Sequence, residues 1–392
     1  MLTIELDKYQ TLAVAAAVLL LGDFLKKKFT FLEKFCIPSP VAGGLVFAVL
    51  TCVLYELHIA ELEFDDVLRE VCMVLFFTSV GFQANLKVLK SGGKSLIIFL
   101  ILVIILIITQ NVVAVGTAGL LHADSLLGLC TGSIPMVGGH GTAGAFGPIL
   151  EDFGITGATT ICTAAATFGL IAGSLIGGPI GNGLIRKYDL LTTMHKDENT
   201  DSKEDDKPLK EYPSAAMELA LTAGIGTVVS SVLSKTGMTF PIYIGAMITA
   251  AVWRNIAEYT GKLPVHIEEI NSIGDICLSL FLGFAMITLK IWQLADLALP
   301  LVILLLAQLV FMYIYARFVI FNVMGRDYDA AVIAAGTCGF GMGATPNAMA
   351  NMQALTEKYG PSLKAFILIP IVGSLFADFI NSLVITTFIN IL

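Results

Sequence analysis

The chain has 392 residues, of which 56% are hydrophobic and only 14% charged. Soluble domains carry about a quarter charged residues, so the composition excludes an ordinary soluble fold, and recurring apolar runs of roughly 20 residues make this a polytopic membrane protein. The net charge of −8 is spread over several loops and points to no partner, nucleic acid included.

In chain order, the N-terminal MLTIELDKYQ lacks the basic stretch and cleavage site of a signal peptide, so the first apolar segment is expected to stay as a membrane helix. Apolar segments are predicted at about Tyr9–Leu25, Ile37–Tyr55, Val67–Phe82 and Ser95–Leu121. A glycine-rich stretch, MVGGHGTAGAFGP (Met136–Pro148), then precedes a segment at about Thr156–Ile185. The polar run HKDENTDSKEDDKPLKEYP reads as a solvated linker. The second half repeats the order: about Ala215–Leu233, Thr239–Ala257, Ile273–Leu289 and Leu297–Val323, a second glycine break, then Ala365–Leu392. The expected organisation is a membrane repeat over 1–186, a linker over 187–214 and a second repeat over 215–392.

The halves also match in residues. ILEDFG (Ile149–Gly154) follows the first break and LTEKYG (Leu355–Gly360) the second; IPSPVAGG (Ile37–Gly44) has its counterpart in FPIYIGA (Phe240–Ala246). Such a repeat marks a duplicated transporter fold. The seven cysteines, at 36, 52, 72, 130, 162, 277 and 338, stand singly and read as small apolar residues.

Basic residues mark cytoplasmic loops. Lys26, Lys27, Lys28 and Lys34 place one loop inside, the acidic ELHIAELEFDD belongs outside, and Lys87, Lys90 and Lys94 return the chain inside. With LHADS outside and Arg186 and Lys187 inside, the first glycine stretch must dip into the membrane and return. Arg254, Lys262, Arg326, Lys358 and Lys364 make the second break enter from the cytoplasm; Lys235 and Lys290, expected outside, run against the bias. The predicted fold is therefore all-α, with two inverted-topology repeats of five transmembrane helices and one re-entrant hairpin each. Both termini are expected outside and the linker in the cytoplasm.

Irregular backbone at membrane depth survives only inside protein or beside a wet cavity. Half-helix N-termini there attract anions, and free carbonyls suit a small hard cation such as Na⁺. The two breaks are accordingly read as a substrate and ion site, with His140 either a ligand or a tie holding the hairpin. The second break, GTCGFGMGATPNAMANMQ (Gly336–Gln353), adds Thr345, Asn347 and Asn351, the last two also readable as helix caps. Asp378 and Asn381 share a helix face in the last segment and are read as an Na⁺ site. The run GLIAGSLIGGPIGNG (Gly169–Gly183) reads as helix packing, and Gln110, Asn111 and Gln308 as interhelical hydrogen bonds. Asp275 and Glu218 are placed at segment ends, and Lys290 with Trp292 at an interface. With no GxxxxGK[ST], HExxH or GxSxG present, neither ATP hydrolysis nor another enzyme activity is expected, so a gradient must supply the energy.

The order of IPSPVAGG, GGHGT, TFGLIAGSLIGGP, LKIW, YDAAVIAAG and CGFGMGATPNAMANMQ resembles the bacterial sodium/glutamate symporter family over nearly the whole chain. The resemblance implies Na⁺-coupled L-glutamate uptake at the inner membrane, an elevator-type movement, a homodimer and no cofactor beyond the coupling ion. It places substrate contacts at Gly138, Gly139, His140, Gly141 and Thr142 and over Cys338–Pro346, where Gly341 and Gly343 join the substrate set and Gly339 and Ala344 the Na⁺ set. Val137 and Thr337 depart from the family pattern, which has serine and histidine there. A transporter of another dicarboxylate or hydroxycarboxylate is the alternative; a channel or receptor would differ by failing to accumulate substrate.

Overall fold

The computed structural model describes residues 2–30, 32, 37–87, 93–190, 211–235, 241–261, 265–292 and 298–392, except the side chains of 298, 374 and 375. Most of the expected linker, together with Lys34, Lys90 and Lys262, lies outside the described residues. Among the described residues, seven helices are long and apolar enough to cross a membrane, or eight if a bent pair counts as one span. This is a multi-pass membrane protein.

Helix α1 (Lys8–Lys28) starts on a capping box, Asp7 accepting from the Gln10 amide while Gln10 reaches back to the Asp7 amide. It packs on α2 (Ser39–Glu56) through bare glycines: a β-carbon on Gly43 would fall 2.0 Å from the Val18 carbonyl oxygen. The pair α9 (Tyr212–Ser234) and α10 (Ile242–Thr260) makes the equivalent contact, with a Gly245 β-carbon 2.2 Å from the Gly226 carbonyl. Gly43 and Gly245 thus do the same packing job, each letting its helix lie directly on the backbone of a neighbour. Between them in the chain run α3 (Val67–Gln83), α4 (Gly93–Leu120), α5 (Ser125–Leu129), α6 (Ser133–Met136), α7 (Gly139–Asp152) and α8 (Ala158–Tyr188). After α10 come α11 (Ile267–Ile287), α12 (Ala298–Ile314) and α13 (Phe321–Val323), the last two joined by a widened π turn at Tyr315–Ile320. Helices α14 (Tyr328–Gly341), α15 (Thr345–Tyr359), α16 (Leu363–Pro370) and α17 (Ala377–Ile391) complete the chain. Pro370 lacks the amide a regular turn needs, and a second π turn, Ile371–Phe376, follows it directly.

One feature departs from the all-α expectation. Strand β1 (Leu2–Leu6) pairs in parallel with β2 (Ala60–Phe64), Leu2 opposite Ala60 and Leu6 opposite Phe64. Both segments alternate apolar and polar residues, LTIEL and AELEF, the period of a strand rather than of a helix. The expected crossings at α3 and α10 are shorter or more charged than the rest, with Arg69 and Glu70 in one and Arg254 and Glu258 in the other.

The helices sort into two bundles. Helices α1, α2, α3, α9, α10 and α11 pack on one another; α4 to α8 and α12 to α17 form a second body, and few contacts cross between the two. Two pairs of helices run antiparallel, α3 with α11 and α4 with α12. Phe82 of α3 clusters with Ile270 of α11, while Val74 and Phe77 meet Phe281 and Leu282. In the second body Gln308 Nε2 donates to the Gln110 carbonyl at 2.9 Å and Tyr315 Oη to the Leu102 carbonyl at 2.6 Å, so α12 opposes α4. The Gln110 side chain donates to the Gly341 carbonyl at 2.7 Å, so Gln110 and Gln308 are both interhelical hydrogen-bonding groups, and Asn111 accepts from the Ser133 amide at 2.8 Å.

Candidate functional site

Helices α14 and α15 have 14 and 15 residues, about 21 Å and 22 Å at 1.5 Å per residue, too short for a hydrocarbon core of about 30 Å. They fold into an antiparallel hairpin. A β-carbon on Gly339 would meet the Ala348 amide at 2.3 Å, one on Gly336 would meet Met352 Sδ at 2.9 Å, and Tyr328 Oη at the base donates to the Gly360 carbonyl at 2.5 Å. The hairpin lies along α8, whose small residues leave it room: β-carbons on Gly169, Gly173 and Gly177 would strike Met342 O, Cys338 O and Asn351 Nδ2 at 2.1, 2.7 and 2.1 Å. The packing role expected for Gly169–Gly183 is thereby accounted for.

The first break reaches the same depth. Gly139 takes a left-handed φ of +57°, which glycine adopts without steric cost, and opens α7. Its β-carbon position lies 3.0 Å from the Gly343 carbonyl, so the two turns touch. Both stand beside Leu170, near the middle of the 31-residue α8.

A cavity of about 360 Å³ opens where the turns meet, between the two bundles. The second body contributes Val137–Gly141, Leu170, Phe340, Gly343, Ala344, Thr345, Pro346, Gly373 and Asp378. Facing them are Pro38, then Phe76, Val80 and Gln83 of α3, and Asp275, Leu278 and Leu282 of α11. The amides of Gly139, His140 and Gly141 have no backbone acceptor among the described residues; Thr142 is the first to bond back, to the Gly138 carbonyl at 3.2 Å. The start of α15 offers fewer, since Pro346 has no N–H and the Asn347 amide is bound to the Ala344 carbonyl at 3.0 Å. The first turn is therefore the richer anion-binding end.

His140 Nε2 lies 3.0 Å from Thr167 Oγ1. The single Thr167 hydroxyl proton goes to the Thr163 carbonyl, also at 3.0 Å, so Thr167 accepts and Nε2 carries the proton. His140 thus ties α7 to α8 while forming part of the cavity wall. Asp378 and Asp275 carry no hydrogen bond or ion pair at their carboxylates among the described residues, and neither Lys nor Arg joins the wall. Arg317 lies elsewhere, against Tyr313, Phe318 and Gly183.

Of the residues singled out in the sequence, Gly138, Gly139, His140, Gly141, Gly343, Ala344, Thr345 and Asp378 come together here. Val137, Asp275, Phe340 and Pro346 line it too, while Thr142, Gly339, Gly341, Asn347, Asn351 and Asn381 lie off it. Thr142 packs back on Gly138, Gly339 sits under Ala348, and Gly341 faces Leu106 and Met312. Asn347 Nδ2 donates to the Leu170 carbonyl at 2.9 Å, and Asn351 Nδ2 to those of Gly173 at 3.0 Å and Ala335 at 3.3 Å, so both fasten the hairpin to its neighbours rather than cap α15. Asn381 Nδ2 donates to the Ser133 carbonyl at 3.0 Å. Asp275 corrects the sequence reading. It lies well inside α11, not at a segment end, because that helix begins at Ile267, with Glu268 and Glu269 suited to its positive first turn. Glu218 lies in α9 and accepts from His266 Nδ1 at 2.7 Å; Lys290 pairs with Glu61 at 3.1 Å, and Trp292 stacks on Tyr55. A wider cavity of about 560 Å³, lined by Asp66, Arg69, Glu151, Asp152 and Lys290 among others, lies at the far end of α7 and touches neither turn.

The family model for the sodium/glutamate symporter matches residues 4–361. A sodium/glutamate symporter of Escherichia coli (strain K12) is 40% identical over 392 residues, 98% of each chain, and one of Haemophilus influenzae 38% over 383 residues, 95% of each. The solved sodium proton antiporter from Methanocaldococcus jannaschii superimposes with a TM-score of 0.45 at 13% identity, over 97% of each chain, too loosely to bear on fold or function. With matches across nearly its whole length, the chain belongs to the sodium/glutamate symporter family.

Proposed function

We propose that this protein is a secondary active transporter that accumulates L-glutamate in exchange for the energy of an inward Na⁺ gradient. The observation that carries this is the meeting of two glycine turns beside a cavity holding free amides at Gly139–Gly141 and an unpaired carboxylate at Asp378. Na⁺ binds at Asp378 with carbonyls of the Gly343–Ala344 turn and draws the turns together. Glutamate follows, its carboxylates received by the amides of the first turn and by Thr345. The family names support the ion and the substrate.

The halves act as inverted repeats, a reading supported by the antiparallel pairing of α3 with α11 and of α4 with α12. The body that carries both turns slides past the other in an elevator movement, which the sparse contact between bundles favours. The protein works as a homodimer in lipid at the inner membrane, with both termini outside and the linker in the cytoplasm.

Uptake of labelled L-glutamate into proteoliposomes tests the proposal. Accumulation that requires an inward Na⁺ gradient and is abolished in Asp378→Asn is the expected result. Accumulation without Na⁺ removes the coupling ion from the proposal; accumulation of another dicarboxylate but not glutamate replaces the substrate.

A further inference from the structure

We propose that Asp275 receives the α-ammonium group of the substrate and so distinguishes an amino dicarboxylate from a plain dicarboxylate; the proposal rests on reading the cavity as a glutamate site. The charge balance of the cavity leads there. Among the described residues its wall carries two carboxylates, Asp275 and Asp378, and neither Lys nor Arg. A dianion entering such a site meets repulsion unless positive charge arrives with it. Glutamate and one Na⁺ bring two positive charges, the ion and the ammonium, one for each acidic side chain, and the substrate's own two carboxylates are left to the amides of the first turn.

Geometry assigns them. Asp378 belongs to the same body as the Gly343–Thr345 turn and lines the cavity with it, so carbonyl and hydroxyl oxygens of that body can complete the shell of several oxygens that a hard cation requires. Asp275 has no such company. It lies on the opposite wall among Leu278, Leu282, Phe76 and Val80, with the Gln83 amide the one other polar side chain on that side among the described residues. An ammonium group needs few acceptors, and a carboxylate with an amide oxygen nearby suits it. Among the described residues no group donates to the carboxylate; the nearby Ser279 Oγ bonds the Asp275 backbone carbonyl instead. The level is right as well. Leu278, one turn further along α11, comes within 3.5 Å of the β-carbon position of Gly141, so Asp275 lies about one helical turn from the amides of the first glycine turn. In this conformation a substrate whose carboxylates sit on those amides presents its ammonium to the facing wall, and it leaves Asp275 when the body carrying the turns slides. The surroundings also explain why a costly acidic side chain stands in an apolar stretch of a membrane helix.

The test compares wild-type protein with Asp275→Asn and Asp275→Glu in proteoliposomes. It measures KM for L-glutamate at saturating Na⁺, the Na⁺ half-saturation, and inhibition by glutarate, which keeps both carboxylates and lacks the amino group. The expected result for Asp275→Asn is a KM raised at least tenfold, a Na⁺ half-saturation changed less than twofold, and a glutarate inhibition that is unchanged or stronger. Asp275→Glu, which keeps the charge, recovers part of the affinity. An unchanged KM overturns the proposal. So does a shifted Na⁺ half-saturation with equal loss of glutamate and glutarate, which makes Asp275 an ion ligand. Thermal unfolding of each purified variant with and without glutamate separates loss of recognition from loss of fold. Wild-type protein that shows no glutamate uptake overturns the glutamate reading itself, whatever the variants do.

Discussion

The two glycine turns were built from similar residues and became different objects. The second is a closed hairpin: Gly336 and Gly339 let α14 lie directly on α15, and Tyr328 ties its base to Gly360. The first is splayed. Helix α5 packs on α4 rather than on α7, and the segment is held from outside, by Asn111 and Asn381 on Ser133, by Glu151 on the Thr159 amide, and by His140 on Thr167. Its glycines meet other helices, Gly147 against Thr159 and Gly144 against Phe281. The difference shows how one device serves two ends. Where glycines face the returning arm they make a rigid element; where they open the turn they leave amides for a ligand.

The sharpest way to break this comparison is to add a side chain inside the closed hairpin. Gly339→Val places carbon 2.3 Å from the Ala348 amide and is expected to cost about 3 kcal/mol or more, seen as loss of monodisperse protein and a large fall in Tm. Gly141→Ala in the first turn meets Phe76 only at 3.4 Å and should leave the fold intact. Equal Tm values for the two variants would show that the second hairpin is not closed as described.

Asn351→Leu comes next. It removes hydrogen bonds to two buried carbonyls, at Gly173 and Ala335, and is expected to cost about 2 kcal/mol in thermal unfolding while changing KM for glutamate less than twofold. A large KM effect with unchanged stability would return Asn351 to the substrate. His140→Ala removes one tie, worth about 1 kcal/mol, but also disturbs the amide turn, so affinity should fall more than stability does. A fall in Tm without a change in KM would make His140 a structural tie alone.

The smallest effect is expected far from both turns. His266 lies between Glu211 and Glu218, with Glu269 in the next helical turn, and its hydrogen bond to Glu218 raises its pKa above the ordinary histidine value. A raised folded pKa stabilises fully below the unfolded value of about 6.5 and loses that contribution as pH climbs through the folded one. The Tm gap between wild type and His266→Gln should therefore be widest near pH 6 and close by about pH 9. A gap that grows with pH would reverse the assignment.

Some of this was legible beforehand because its causes are local. Hydropathy alone locates the long helices, since an apolar run of membrane length declares itself without knowledge of its neighbours. The glycine turns and the packing stripe along α8 follow from what a missing β-carbon permits. Harder to see were β1 and β2, short strands separated by an entire helix hairpin, and the true start of α11, obscured by two glutamates that look like loop and serve as an N-terminal turn.

The sequence by itself determined a membrane protein interrupted by two glycine turns, because chain polarity and backbone freedom are properties of neighbouring residues. Which side chains face the cavity was decided by tertiary structure. The rotation of a helix about its axis is set by partners far along the chain: Asn351 is drawn away from the cavity by Gly173, 178 residues distant, and Asn381 by Ser133, 248 residues distant. Asp275 is turned toward it by the packing of α11 on α3. A polar residue in an apolar run signals that something must meet it, and only the packed structure says whether that is a carbonyl or a ligand.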